Sequence, residues 1–270
     1  MPELPEVETV RRGLASRLVG RRVDGVDFRP AKRLRGTGGL PLEGLEGQTV
    51  TAVRRHGKYL LVDLDGALLL AHLGMTGKLL FAEPGEAERP HTHLVLHLDD
   101  DTELRFSDPR RFGTLKLYPK DAVVPELAHY GPDALAPAFS KAHLAAALKG
   151  SGSPLKLFLL DQRKVAGVGN IYACEALWRA KLSPVRKART VPAAKVPELW
   201  RHLRDTLRDS IAKGGTSFND YVDHIGQPGK FVAQLAVYDR EGKPCPRCGA
   251  AVVRTTQSGR STFWCKKCQR

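Results

Sequence analysis

Residues 59–73 read YLLVDLDGALLLAHL. Two apolar runs flank Asp65-Gly66, a dipeptide suited to the backbone of a tight hairpin, so the stretch predicts two antiparallel strands. The same pattern extends on both sides. Strand-like sequence begins near Gln48 and runs to Tyr118. Residues 92–98 and 103–106 form a second expected pair across Asp99-Asp100-Asp101, and residues 116–118 a closing strand. Upstream, Val7, Val10, Leu14 and Leu18 share one face of a helix over residues 6–19, which Gly20 stops. A helix followed by hairpins predicts an antiparallel β-sandwich with a leading helix.

After Lys120 the sequence turns helical. Ser140 can cap a helix that runs to Lys149, and the stretch Gly150-Ser151-Gly152-Ser153 breaks it. Shorter helices are expected over 154–162 and 170–181, separated by the tight turn KVAGVG at 164–169. A long helix over 192–213 carries Val196, Leu199, Leu203, Leu207 and Ile211 on one stripe and ends at Gly214-Gly215. The fold class is therefore α+β. The expected boundaries are a strand-rich domain over 1–120, a linker over 121–135, a helical domain over 136–236 and a small C-terminal module over 237–270.

The formal net charge is +14. Phosphate neutralisation rewards Lys and Arg directly, so nucleic acid is the expected partner, against the plainer reading of a generically basic protein. The stretch from Arg240 to Arg270 concentrates the excess: Arg240, Lys243, Arg247, Arg254, Arg260, Lys266, Lys267 and Arg270 face only Glu241. No apolar run approaches the ~18 residues of a membrane span. The opening MPELPEVETV resembles no targeting segment, so a cytoplasmic monomer is expected.

Four of the five cysteines stand as Cys245-x-x-Cys248 and Cys265-x-x-Cys268 with 16 residues between the pairs. This spacing lets two knuckles bring four thiolates to one tetrahedral zinc ion. A module of about thirty residues buries too little surface to fold without such a staple. Its middle segment predicts a hairpin turning at Ser258-Gly259, with Arg260 at the turn, either solvated or projecting into a groove. Cys174 reads as a buried core residue of its helix.

The N-terminus offers a second chemistry. Removal of Met1 would leave Pro2 as a free secondary amine. An α-amino group titrates near ~8 and lysine near ~10.4, so the terminal amine is the better nucleophile at neutral pH. Attack of a secondary amine on a sugar aldehyde carbon can give only a cationic iminium, which acidifies the neighbouring carbon. Of Glu3 and Glu6, one can act as proton donor and the other can orient substrate. The competing reading is that Pro2, Glu3 and Glu6 simply open a helix, where acids suit the dipole.

The segments MPELPEVETVRRGL, RHGKYLLVDL, HLGMTGKL, DPRRFG, LLDQRKVAGVGNIYACEAL and CPRCG…TFWCKKCQ together resemble bacterial formamidopyrimidine-DNA glycosylases, in the family's order and across the whole chain. The resemblance implies a β-sandwich, a helix-two-turn-helix domain and a zinc finger, with double-stranded DNA crossing the cleft. It implies excision of oxidised purines, including 8-oxoguanine opposite cytosine and ring-opened purines, followed by β- and δ-elimination at the abasic site. By the same resemblance Pro2 forms the Schiff base, Glu3 and Lys58 donate protons, and Arg260 serves δ-elimination while gripping phosphate. Met75, Arg110 and Phe112 resemble the group that fills the stack after a base is extruded, although Met75 and Phe112 read on bare sequence as core. His91, Lys156 and Asn170 match DNA contacts. Glu6, Thr216 and Tyr221 match lesion recognition, with residues 216–230 as a mobile lid.

Many members of the family carry a basic residue just before the segment that holds Lys156. Here the Gly-Ser stretch 150–153 stands there, which removes the basic side chain and leaves the backbone N–H of Gly152 able to substitute. Two other readings stay open at this point: a relative of endonuclease VIII preferring oxidised pyrimidines, and a zinc-ribbon DNA-binding protein without catalysis. The Pro2-Glu3 pair argues against the latter, since binding alone needs neither.

Overall fold

Glu3 starts the first helix. Its backbone N–H donates to Glu6 Oε2 at 2.8 Å and its side chain returns the bond, a capping box that opens α1 (Leu4–Leu18) two residues ahead of the expected start. Nine strands follow among the described residues of the computed structural model, which are 1–29, 37–218 and 221–270: β1 (Val23–Phe28), β2 (Thr37–Gly39), β3 (Val50–His56), β4 (Tyr59–Leu64), β5 (Ala67–His72), β6 (Lys78–Ala82), β7 (Thr92–Leu98), β8 (Glu103–Ser107) and β9 (Thr114–Pro119). They form two sheets, ordered β2-β9-β5-β4-β3 and β1-β7-β8-β6. Every pairing is antiparallel except the three-residue β2, which runs parallel to β9. The expected sandwich with a leading helix is present.

The two quoted apolar runs are β4 and β5, with Asp63 opposite Leu68. Alternation sends Leu60, Val62, Leu64, Leu69 and Ala71 into the core, where they meet Val7, Val10, Leu14 and Leu18 of α1. The other face is apolar too. Leu61, Leu68 and Leu70 are covered by Val124, with Tyr118 and Leu127 beside them. Covering each such leucine is worth about 1.5–3 kcal/mol, which holds this segment on the sheet. Residues 121–128, the first half of the expected linker, thus belong to the sandwich.

The chain separates into two units: Met1–Ala128 with Ile211–Lys230, and His129–Ser210 with Phe231–Arg270. Residues 211–230, read from sequence as the end of the helical domain, cluster with the first unit. The second unit holds α2 (Lys141–Lys149), α3 (Leu155–Leu160), α4 (Asn170–Arg179), α5 (Val196–Ala212), whose last two residues pass into the first unit, and the ribbon strands β10 (Val253–Gln257) and β11 (Arg260–Trp264). Ser140 caps α2 by accepting from His143 N–H at 3.1 Å. On α5, Leu199, Leu203 and Leu207 are fully buried, and Arg204 reaches sideways to the carbonyls of Ala134, Leu135 and Ala136 at 2.9–3.1 Å. The ribbon turns at Ser258-Gly259, both at positive φ, which sets Gln257 opposite Arg260.

Candidate catalytic and nucleic-acid sites

Pro2 and Glu3 lie buried at the start of α1, and Met1 is exposed. In the chain as it stands Met1 acylates the Pro2 nitrogen; its removal would leave a free secondary amine at the start of the helix. Glu6, one turn on, is 2% exposed and fully employed. Its Oε2 accepts from Glu3 N–H and its Oε1 from Thr216 N–H, both at 2.8 Å. Tyr221 donates its hydroxyl to the Glu6 carbonyl at 3.3 Å, and burial, then the Glu6 charge, push its phenol pKa upward. Glu6, Thr216 and Tyr221, assigned together from sequence, therefore form one cluster joining the helix start to the 216–230 segment. Ser217 extends it, donating to Tyr221 O at 2.7 Å and accepting from Gly229 N–H at 2.8 Å. Residues 219 and 220 of the expected lid lie outside the described residues.

Lys58 sits at the turn between β3 and β4 and is 6% exposed. The turn is braced from α1: Glu8 accepts from Arg55 Nε at 3.1 Å, and Arg55 donates onward to the Gly57 carbonyl at 2.8 Å. Burial opposes the Glu8 carboxylate, but hydrogen bonds from Arg11 and Arg12 and the charge of Arg55 outweigh it and hold its pKa below the usual range. Across the sheet His72 pairs with Tyr59, their rings 4.8 Å apart. Burial, aided by the Lys58 charge, lowers the His72 pKa to about 4. The Nδ1 atom accepts from Gly74 N–H at 3.0 Å, so neutral His72 carries its proton on Nε2. Sequence reading missed His72; its one signal was its place two residues before the turn Gly74-Met75.

Met75 and Phe112 are 36% and 40% exposed, so the core reading of both is excluded. The Arg110 guanidinium lies 4.9 Å from the centre of the Phe112 ring. Asp108, fully buried and also missed from sequence, ties the two loops that carry this group. It accepts from Thr76 Oγ1 at 2.5 Å and from Gly113 N–H at 2.7 Å, while Thr76 Oγ1 in turn accepts from Arg110 N–H at 3.2 Å. Gly74 permits the fit: at φ +60 it lies so near that a Cβ would stand 2.5 Å from the Phe112 carbonyl carbon. The result is an exposed apolar-plus-cationic wedge on a fixed base. His91 is exposed, in the left-handed region at φ 63, and its carbonyl accepts from Asp108 N–H at 3.0 Å.

In the second unit Asn170 is the first residue of α4, at the positive end of the helix dipole. The preceding turn is organised by Gln162, which accepts from Gly167 N–H and donates to the Val168 carbonyl, both at 2.8 Å. Asn170 Nδ2 donates to the Ser261 carbonyl at 2.9 Å. Lys156 donates to the same carbonyl at 2.9 Å and to Thr262 Oγ1 at 2.7 Å. The resemblance matched Lys156 to the DNA contacts; its side chain is wholly buried here and holds β11. Arg260, the residue next to Ser261, is exposed. It lines a groove of about 420 Å³ with Ser151, Ser153, Asp161, Arg163 and Lys164, where only Asp161 is acidic. Gly152 is exposed beside these serines, with room for a Cβ, the nearest atom being an Arg189 nitrogen at 3.7 Å.

The four ribbon sulfurs lie within 4.8 Å of one another, with Cys248–Cys265 at 3.5 Å and Cys245–Cys268 at 3.9 Å. Zinc–sulfur bonds near 2.3 Å require a tetrahedron with edges of about 3.8 Å, so the set fits one zinc ion. Cys174 is buried against this cluster. Among the described residues no helix is long and apolar enough to cross a membrane.

Residues 1–115 match the family model described as the formamidopyrimidine-DNA glycosylase N-terminal domain, residues 130–221 that family's H2TH domain, and residues 242–270 a zinc finger found in FPG and IleRS. The chain is 46% identical to a formamidopyrimidine-DNA glycosylase of Methylococcus capsulatus and 45% identical to one of Stenotrophomonas maltophilia, each over 100% of both chains. Among solved structures it resembles the MutM (Fpg) protein of Thermus thermophilus, with a TM-score of 0.88 and 43% identity over 99% of this chain and 98% of that one. It also resembles the Lactococcus lactis Fpg in complex with DNA containing an abasic site, with a TM-score of 0.90 and 35% identity over 99% of each chain.

Proposed function

Because the chain belongs to the formamidopyrimidine-DNA glycosylase family, we propose that its buried N-terminal corner carries out the family's reaction with Pro2 as nucleophile. The protein is a DNA glycosylase of base excision repair with abasic-site lyase activity, acting on double-stranded DNA that contains oxidised purines or abasic sites, and its ribbon takes one zinc ion. The ion's contribution is structural: it closes the ribbon that displays Arg260.

The observation that carries the residue assignment is the placement of Pro2 and Glu3 at the capped start of α1. The freed Pro2 nitrogen attacks C1′ of the damaged nucleotide. A bond forms between that nitrogen and C1′, the bond from C1′ to the base breaks, and the base leaves with a proton. Glu3 protonates the sugar ring oxygen, the ring opens and the nitrogen lone pair completes a cationic iminium. Loss of a proton from C2′ expels the 3′ phosphate, and loss of a proton from C4′ of the resulting conjugated iminium expels the 5′ phosphate. Lys58 is the proton donor beside the 3′ phosphate. His72, neutral and next to it, keeps a second donor in the corner without adding charge. Met75, Arg110 and Phe112 fill the stack left by the extruded nucleotide, with Arg110 on the orphaned base. Glu6, Thr216 and Tyr221 frame the extruded base. Arg260, Asn170 and His91 contact the phosphates. Lys156 acts one step removed, by fixing the strand that bears Arg260.

Borohydride trapping tests this assignment. With Met1 removed and a duplex holding 8-oxoguanine opposite cytosine, a covalent adduct is expected, mapped to the Pro2 nitrogen by mass spectrometry. An adduct on any lysine, with none on Pro2, overturns it. A parallel panel of oxidised pyrimidines is expected to trap less.

A further inference from the structure

Helix α4 ends against the metal module. Trp178, in its last turn, directs its indole N–H to Cys245 Sγ at 3.4 Å. Cys245 is 1% exposed, and Trp178 packs on the cluster formed by Cys174, Val237, Val252, Phe263 and the ribbon cysteines. Arg247, within the first Cys-x-x-Cys, lays its guanidinium 4.2 Å from the Trp178 ring centre and donates to the Trp178 carbonyl at 2.9 Å. Backbone N–H groups of Arg247 and Cys248 also turn toward the Cys245 sulfur, and the second knuckle repeats this with Lys267 and Cys268 around Cys265. The indole donor comes on top of this shared pattern. Pairing is no default for an indole in this module, since the buried Trp264 Nε1 has no hydrogen-bond partner.

We propose that Trp178 is an outer-sphere donor to the metal-bound thiolate of Cys245 and that, together with Arg247, it latches the first knuckle onto α4. The inference rests on the zinc reading of the four cysteines. A hydrogen bond to a coordinated thiolate draws charge from the sulfur, makes it harder to protonate and orients it toward the ion. Groups of this kind set metal affinity by about 10–100-fold. The Arg247 side chain contributes differently: its guanidinium packs on the indole and donates to the Trp178 carbonyl, while only its backbone N–H turns to the sulfur.

The test uses the full chain loaded with metal. Elemental analysis of the wild type comes first; a protein without zinc defeats the zinc reading and this inference with it. Trp178→Phe keeps a ring under Arg247 and removes the N–H. Under excess chelator, zinc release from this variant is expected to be at least about tenfold faster than from wild type. In cobalt-substituted protein its thiolate-to-metal charge-transfer band shifts to lower energy, because the sulfur becomes more electron-rich. Arg247→Ala keeps the indole N–H and is expected to shift the band in the same direction but by less than Trp178→Phe. Cadmium-113 loading gives a reading without any variant: scalar coupling between the ion and the Trp178 indole proton. Unchanged release with an unmoved band, faster release with no band shift, or no coupling to the indole overturns the proposal.

Discussion

His72 is a half-buried base held neutral in a corner that also holds Lys58. Its pKa is about 4 in the folded protein and about 6.5 when unfolded. Above pH ~6.5 both states are neutral and the residue makes no pH-dependent contribution. As pH falls toward 4, the unfolded chain takes up a proton that the folded chain refuses, so stability is lost through that window by at most about 3 kcal/mol. Urea unfolding of wild type and His72→Gln at pH 7.5 and pH 5 measures this, and the variant is expected to lose distinctly less between the two. Equal losses would assign the acid sensitivity elsewhere. At this scale the sequence was legible where chemistry is carried by residue type: the paired cysteines announce themselves. Asp108, Glu8 and His72 did not. Asp108 works on Thr76 across 32 residues and Glu8 on Arg55 across 47, and no periodicity or motif encodes such meetings. The burial of Lys156 was not legible for a related reason, because a lysine in a basic protein gives no sign that it is buried.

Elements were legible where local rules and tertiary packing agree. Asp65-Gly66 marked the β4–β5 hairpin, and Ser140 marked the start of α2. Ser140→Ala removes that cap and is expected to lower unfolding free energy by about 1 kcal/mol, read as a lower denaturant midpoint with an unchanged slope. The start of α1 and residues 121–128 were set by longer-range demands. The first is fixed by a reciprocal bond between two acids that were read for chemistry, and the second by the apolar back of β4 and β5. That back was visible in the unbroken apolar runs themselves, since a half-exposed strand would alternate.

Across the whole molecule the dominant property is charge. With a net +14, DNA binding is expected to weaken steeply as salt rises, because each neutralised phosphate releases counterions. Replacing Arg260 by Ala is expected to lower the slope of log K against log salt by about one, measured by fluorescence anisotropy on an abasic-site duplex. A slope equal to that of wild type would remove Arg260 from the phosphate contacts. The two-part division was legible in outline from the change of pattern after Lys120, but the return of residues 211–230 to the sandwich was not, because it depends on Glu6 receiving Thr216 N–H.

Asn170 and Lys156 both fasten β11 through one oxygen, the carbonyl of Ser261. Every amino acid placed at 261 supplies that oxygen, so the grip is indifferent to the codon there. Alanine scanning would pass over it, and variation at this position says nothing about how strongly the strand is held. To weaken the acceptor the main chain itself has to change, with an ester joining residues 261 and 262 in a semisynthetic protein.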